Sequence, residues 1–347
     1  MWPRHTTAAP GEKGGDTWPG DTYLKGGGST WVTGSYDSEQ DLLFWGTGNA
    51  GPWNAAVRKG DNLYTASLLA IRPKTGEIVW HYQFNPNDAF DYDAVNEMVQ
   101  ADVKMNGESK KVILHANRNG FLYAIDRTTG KVIAANTFVP KVNWASGIDL
   151  QTGRPIDTEV SVKARNGESV EVWPGALGAK TWPPMSFSPK TGLVYLNAIN
   201  AGMSYVTTPP EYKKGEIYLG IEFTGFIFPD GPRGYFKAIE PTTGKERWSI
   251  PRDIPSYSGV LSTAGNLVFT GTMTGEFEAR AASTGKLLWS YRTGSASMGQ
   301  PITWTHKGKQ YVTTLSGIGG VYPLFSGDER LANVPAGGQV WTFALQP

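Results

Sequence analysis

The sequence predicts an all-β fold, a β-propeller, on three observations. A hairpin-like frame recurs along the chain. Segments rich in aromatic and β-branched residues lie between its copies. No stretch shows the period of a convincing amphipathic helix. The composition agrees: 43 Gly, 23 Pro, 13 Trp and 15 Tyr in 347 residues favour many short strands joined by tight turns.

The frame is clearest in Ala70 to Trp80 (AIRPKTGEIVW), Ala238 to Trp248 (AIEPTTGKERW) and Ala279 to Trp289 (ARAASTGKLLW). Ala124 to Ala134 (AIDRTTGKVIA) shares it with Ala134 in the tryptophan's place, and Gly147 to Asp157 (GIDLQTGRPID) keeps only the Asp and Thr-Gly. Each copy reads as a strand, a Thr-Gly turn, and a returning strand whose Trp docks on a neighbour. Trp80, Trp248 and Trp289 are therefore assigned to the core, as blade packing. Further strands are expected in DLLFWGTG, LYTASLLAI, KKVILHAN, GFLYAID, LVYLNAI, NLVFTGT, FEARAA and KQYVTTLSG. Sheets repeated in this way pack radially. Met1 to Gly28 and Ala201 to Gly234 read as long loops, and no linker interrupts a single domain over 1–347.

Charge is balanced, 32 basic against 31 acidic residues, without a basic block, which argues against a nucleic-acid partner. Absence of cysteine excludes disulfides, thiolate metal sites and covalently attached c-type haem. The four histidines (His5, His81, His115, His306) do not stand at zinc-ligand spacing. No apolar run reaches membrane-spanning length, and the opening MWPRHTTAAPGEKGG has no secretory h-region.

Chemistry-bearing residues concentrate between Trp31 and Arg118. GGGSTW, FWGTGNAGPWN, NPNDAFDYDAVNE and HANRNG each set an aromatic, amide, acid or guanidinium beside glycines or turn residues. Asp88, Asp91 and Asp93 crowd one short stretch, and in extended backbone Asp91 and Asp93 point the same way. Two carboxylates so close call for a cation. Bland readings stand beside these: Asn49 as a turn amide, Asp88 as a turn cap, His115 as a satisfied strand histidine, Arg118 in a surface pair, and Trp31 as core.

Together, the Ala-to-Trp repeats, GTGN-x-GPWN, FDYDAVNE and RNGFLYAIDR resemble the pyrroloquinoline-quinone (PQQ) dependent alcohol dehydrogenases of the methanol and ethanol dehydrogenase type. The likeness extends to TAGNLVFTGT and GQPITWTHKGKQYV. It implies an eight-bladed propeller, of which this chain would supply about the last five blades, with PQQ in the axial channel above a metal ion. By that resemblance Trp31 stacks on PQQ and Ser29 touches one of its carboxylates. Asn49 ligates the metal, Asp91 is the catalytic base, and Arg118 bonds the quinone oxygens. Asp93 matches the extra acid of the lanthanide-using branch, so a lanthanide is expected before calcium. Thr181 stands where relatives carry a PQQ-contacting asparagine, Trp182 beside it neighbours the cofactor, and Tyr257 stands where a pocket tryptophan is common.

The implied activity is oxidation of primary alcohols to aldehydes in the periplasm, with electrons passed to a cytochrome c. Upstream family features, including a metal-site glutamate and an adjacent cysteine pair, have no counterpart in these residues. An inactive remnant and a non-catalytic propeller scaffold are the alternatives. The preferred alcohol and the oligomeric state, a homodimer included, stay open.

Overall fold

The structure, a computed structural model, describes residues 2–344, so Met1 of the expected N-terminal loop lies outside it. The chain divides into two compact units. One comprises Met1–Trp182 with Ala201–Phe228, the other Pro183–Asn200 with Pro229–Pro347.

In the first unit, β1 (Ser35–Asp37), β2 (Leu42–Gly46), β3 (Ser67–Ile71) and β4 (Ile78–Gln83) form an antiparallel meander. A second meander comprises β5 (Val99–Met105), β6 (Glu108–Ala116), β7 (Phe121–Asp126) and β8 (Val132–Thr137). SLLAI of β3 is buried at every position, as an unbroken apolar run between covered faces requires. Outer β5 instead alternates through Ala101, Asp102, Val103 and Lys104, burying the apolar residues and exposing the charged ones. Phe44, Phe84, Ile113, Tyr123 and Trp144 lie at the centre of this unit's core.

The second unit holds two further four-stranded antiparallel sheets. Ser186–Ser188, Leu193–Ile199, Gly234–Ile239 and Glu246–Arg252 make one; Leu261–Ser262, Leu267–Gly271, Glu276–Ala281 and Leu287–Arg292 make the other. A three-stranded sheet follows, of Ile302–His306, Lys309–Gly317 and Gly337–Ala344. All eight segments expected as strands contain one.

The recurrent frame has one register throughout. Ala70 faces Trp80, Ala124 faces Ala134, Ala238 faces Trp248 and Ala279 faces Trp289, and a register shift follows each of these alanines. The turn glycines need positive φ, as at Gly76 and Gly130 (both 74°), which only glycine adopts without cost. Gly130 has a second reason to be glycine, because an added Cβ would lie 2.5 Å from the ring of Trp80. The indole of one hairpin thus covers the turn of the next. Trp248 does the same over Gly285, and Trp2 over Gly76. Two of these indoles donate to the equivalent turn carbonyl, Trp2 to Pro73 at 2.7 Å and Trp248 to Ala282 at 2.9 Å. Where Ala134 replaces the tryptophan, Tyr82 takes over beyond it, its hydroxyl donating to Gly153 O at 2.8 Å.

Three expectations are corrected. The stretch from Ala201 to Gly234 is not all loop: Gly202–Thr207 and Ile221–Ile227 pair in a sheet with Val170–Val172. Buried Met203 and Tyr205 alternate with Ser204 and Val206, a strand pattern that the surrounding prolines and lysines mask. A short helix, Glu159–Arg165, stands where none was expected. It starts with a capping box between Thr158 and Ser161, and a serine in the third position is a weaker signal than Glu or Gln. Finally, Trp289 is not core: it is 38% exposed, although its ring meets Phe343 edge-on at 4.9 Å.

Candidate active site

The site grows from the loop between β4 and β5, NPNDAFDYDAVNE. Asp91 sits there at φ 64°, a left-handed conformation that Asp tolerates better than most residues. Its carboxylate accepts from Arg118 Nη2 at 2.8 Å. Arg118 is carried by the tight turn between β6 and β7, and its Nη1 lies 3.8 Å from Asp93 Oδ2. One guanidinium therefore serves two carboxylates. The same arginine donates to Ala176 O and, at 3.5 Å, to Thr181 Oγ1.

Asp93 joins the cluster to the glycine-rich strand end after β2. Its Oδ1 accepts the backbone N–H of Asn49 at 2.6 Å. Asn49 donates its side-chain N–H to Ala50 O at 3.1 Å. Gly48 must be glycine here, because a Cβ would come 2.7 Å from Asp93 Oδ1 and 3.0 Å from Ser29 Oγ. Ser29 is tied in through its carbonyl, which accepts from Gly48 N at 2.7 Å. The fold thus brings Ser29, Asn49, Asp91, Asp93, Arg118 and Thr181 into one bonded neighbourhood. Trp31 and Trp182 adjoin it in the chain, two residues after Ser29 and directly after Thr181. The two residues are 49% and 42% exposed, so Trp31 is not a core residue. Tyr257 belongs to the second unit, where it is buried with its ring 5.6 Å from that of Tyr322.

Burial drives the Asp91 carboxyl well above the usual range; Arg118 pulls it down, but Asp93 and Asp88 push the same way as burial. Asp88 is buried too and raised to about 6 by desolvation, against the opposing pull of Arg58. Its oxygens accept from Phe90 N at 3.3 Å and Tyr92 N at 3.1 Å, so it is the turn cap its sequence setting suggests. Burial holds His115 neutral, its affinity for a proton lowered to about 3. Its ring lies between the Glu97 carbonyl and the Asn117 amide, the satisfied strand histidine expected.

Two features escaped sequence reasoning. Arg58, fully buried, donates to Pro52 O (2.8 Å), to Asn62 Oδ1 (2.7 Å) and to the backbone carbonyl of Asp88. Lys180, also buried, pairs with Glu97 at 2.9 Å and donates to Thr181 O at 3.0 Å. Arg58 and Asp88 are 30 residues apart in the chain and Lys180 and Glu97 are 83, and nothing local in a lone Arg or Lys announces burial.

The donor set suits a hard cation. Two carboxylates against one guanidinium leave a net negative charge, and amide oxygen is the complement such an ion takes. Among the described residues no three His, Asp or Glu side chains converge as a metal site, so neutral oxygens have to complete any shell.

Comparison with known proteins places the fold and the family. The PQQ-type family described as glucose/ethanol/alcohol dehydrogenase, β-propeller domain, matches residues 1–141 and 231–312. Quinoprotein alcohol dehydrogenase PedH of Pseudomonas putida KT2440 is 44% identical over 342 residues, which are 96% of this chain and 57% of that protein. The lanthanide-dependent methanol dehydrogenase of Methylorubrum extorquens AM1 is 40% identical over 314 residues, 88% of this chain and 52% of that protein. Among solved structures, a europium-containing methanol dehydrogenase superposes with a TM-score of 0.89 at 36% identity, covering 98% of this chain and 63% of that one. The chain thus spans a little over half the length of the curated relatives it matches. It belongs to the PQQ-dependent alcohol dehydrogenase family of β-propeller proteins.

Proposed function

We propose that this chain carries the base and the quinone-facing cation of a PQQ- and metal-dependent dehydrogenase that oxidises primary alcohols to aldehydes. Electrons leave to a cytochrome c, and the setting is the periplasm. The observation that carries the reading is the Asp91–Arg118–Asp93 cluster: a left-handed aspartate and a buried arginine meet beside an acid in excess. Its relatives' names, quinoprotein and lanthanide-dependent dehydrogenases, agree with that chemistry.

Asp91 is the base. Burial makes its carboxylate a stronger proton acceptor than an exposed aspartate, which suits removal of an alcohol's hydroxyl proton. Arg118 holds that carboxylate in place and offers positive charge where negative charge develops on a bound quinone. Trp31 provides a stacking surface, with Ser29 and Thr181 as hydroxyl partners and Trp182 as a neighbour. Asp91, Asp93 and the side-chain oxygen of Asn49 are the cation's ligands. The charge of Asp93 favours a trivalent lanthanide over calcium. PQQ with its metal supplies, when bound, an electrophilic carbonyl that accepts two electrons from the alcohol.

The test uses the purified protein with PQQ and lanthanum or calcium, following dye reduction by ethanol and quenching of tryptophan fluorescence. The parent is expected to show saturable quenching and alcohol-dependent reduction. Asp91→Ala is expected to lose at least about a hundredfold in turnover while keeping its fold. Full activity in that variant discards the assignment of Asp91. No saturable quenching in the parent would favour a propeller scaffold without catalytic function.

A further inference from the structure

Asp88 is the acid of the NPNDAFDYD stretch to which the proposed chemistry gives no task. Its position is unusual in three respects. It is buried, 2% exposed. Its two oxygens are divided between the N–H groups of Phe90 and Tyr92, the residues on either side of Asp91. Its own carbonyl is gripped by Arg58, a guanidinium with no exposed surface that is itself fixed by Pro52 O and Asn62 Oδ1.

The neighbouring backbone is pinned as well. Tyr205 donates its hydroxyl to Ala89 O at 3.0 Å, and Asn87 donates to Arg58 O at 3.0 Å. Asp91 alone in this segment combines positive φ with a carboxylate turned to Arg118. A left-handed aspartate is less favourable than one in an ordinary conformation. Something must hold it there, and the two N–H bonds that straddle it both end on Asp88.

We infer that Asp88 is a positioning residue for Asp91: its carboxylate clamps the peptide N–H groups before and after Asp91 and so fixes the left-handed turn that aims Asp91 at Arg118. This rests on the reading of Asp91 as the base, but the clamp itself is independent of that reading. A mere counter-ion for Arg58 would explain less, since Arg58 bonds the carbonyl of Asp88 and not its carboxylate.

Asp88→Asn tests the clamp at nearly constant shape. The amide keeps one acceptor and sets a donor against the other N–H, so one of the two bonds is lost. Hydrogen exchange over residues 85–97 of the protein without cofactor reads the clamp directly. Phe90 or Tyr92 should exchange at least about tenfold faster in Asp88→Asn, with the β6 and β7 amides unchanged. With PQQ and lanthanum, kcat should fall about tenfold or more, while KM and the midpoint of PQQ quenching stay within about twofold. Asp88→Glu should not restore either readout, because the longer chain cannot straddle the turn. Unchanged exchange in Asp88→Asn overturns the clamp, whatever the activity. Faster exchange with unchanged kcat overturns its service to Asp91. Loss of exchange protection throughout the unit would show a structural role only and also overturn the proposal. Should the parent show no turnover, the reading of Asp91 fails while the exchange result still decides the clamp.

Discussion

Two clusters of three charged side chains, one in each unit, have opposite stoichiometry. In the first unit Arg118 serves two carboxylates, Asp91 and Asp93. In the second, Glu278 serves two guanidiniums, Arg252 at 2.5 Å and Arg280 at 2.7 Å. Burial raises both carboxyls in question. At Glu278 the hydrogen bonds from Arg280 and Arg252 outweigh that penalty and leave it lowered. At Asp91 a single shared arginine does not, and the carboxyl stays raised. The Glu278 cluster is closed within the protein and ties the strand Glu246–Arg252 of one sheet to Glu276–Ala281 of another. The Asp91 cluster keeps negative charge that the protein leaves unmatched, the mark of a place prepared for something else.

The largest effect should come from breaking the closed cluster. Glu278→Gln leaves two buried guanidiniums without their carboxylate and should cost about 3 kcal/mol in urea unfolding. Asp93→Asn, in the open cluster without metal, should change stability by less than about 1 kcal/mol or raise it, since it removes one of two like charges yet keeps the acceptor for Asn49 N–H. A comparable loss in both variants would remove the distinction.

Metal should then separate them. At a hundredfold excess over its dissociation constant, lanthanum should stabilise the parent and Glu278→Gln alike, by about 2.7 kcal/mol. Asp93→Asn should lose most of that gain, and more of it for lanthanum than for calcium. Equal retention for both ions would dismiss Asp93 as the selective ligand.

The smallest effect is in pH, and its sign differs between the clusters. Asp91, raised in the folded state, favours folding most below its unfolded value and loses that contribution as pH rises through the folded one. Glu278, lowered, contributes above its unfolded value and loses its contribution as pH falls through the folded one. Urea midpoints between pH 3 and 8 should therefore show Asp91→Asn gaining on the parent toward high pH. Glu278→Gln should fall behind the parent toward high pH and approach it in acid. Parallel curves would contradict the opposed charge balance.

Much of this was legible beforehand, for reasons that differ by element. The hairpins announce themselves because turn chemistry and strand pairing are local: Thr-Gly fixes the turn, and Ala and Trp at constant spacing become cross-strand partners. The strand Gly202–Thr207 was hidden because one partner, Val170–Val172, lies far back in the sequence, and Ile221–Ile227 because a loop bearing prolines and lysines separates it from Gly202–Thr207, the strand it pairs with. In the site, Asp91 and Arg118 were readable through the resemblance of their motifs, and the fold joins them. Arg58 and Lys180 were not, since burial of a lone cation is decided by carbonyls and acids that the sequence places tens of residues away.

The indole–glycine joints have a practical consequence. Trp80 belongs by chain to one sheet and by packing to the next, where Gly130 leaves the room it fills. The portable module of this architecture is therefore out of phase with its sheets, running from one tryptophan to the following Thr-Gly corner, which that tryptophan caps. An engineer who grafts or deletes a blade along sheet borders would sever a plug from its socket at both ends, whereas a cut between a Thr-Gly corner and the tryptophan that follows it would keep each pair together.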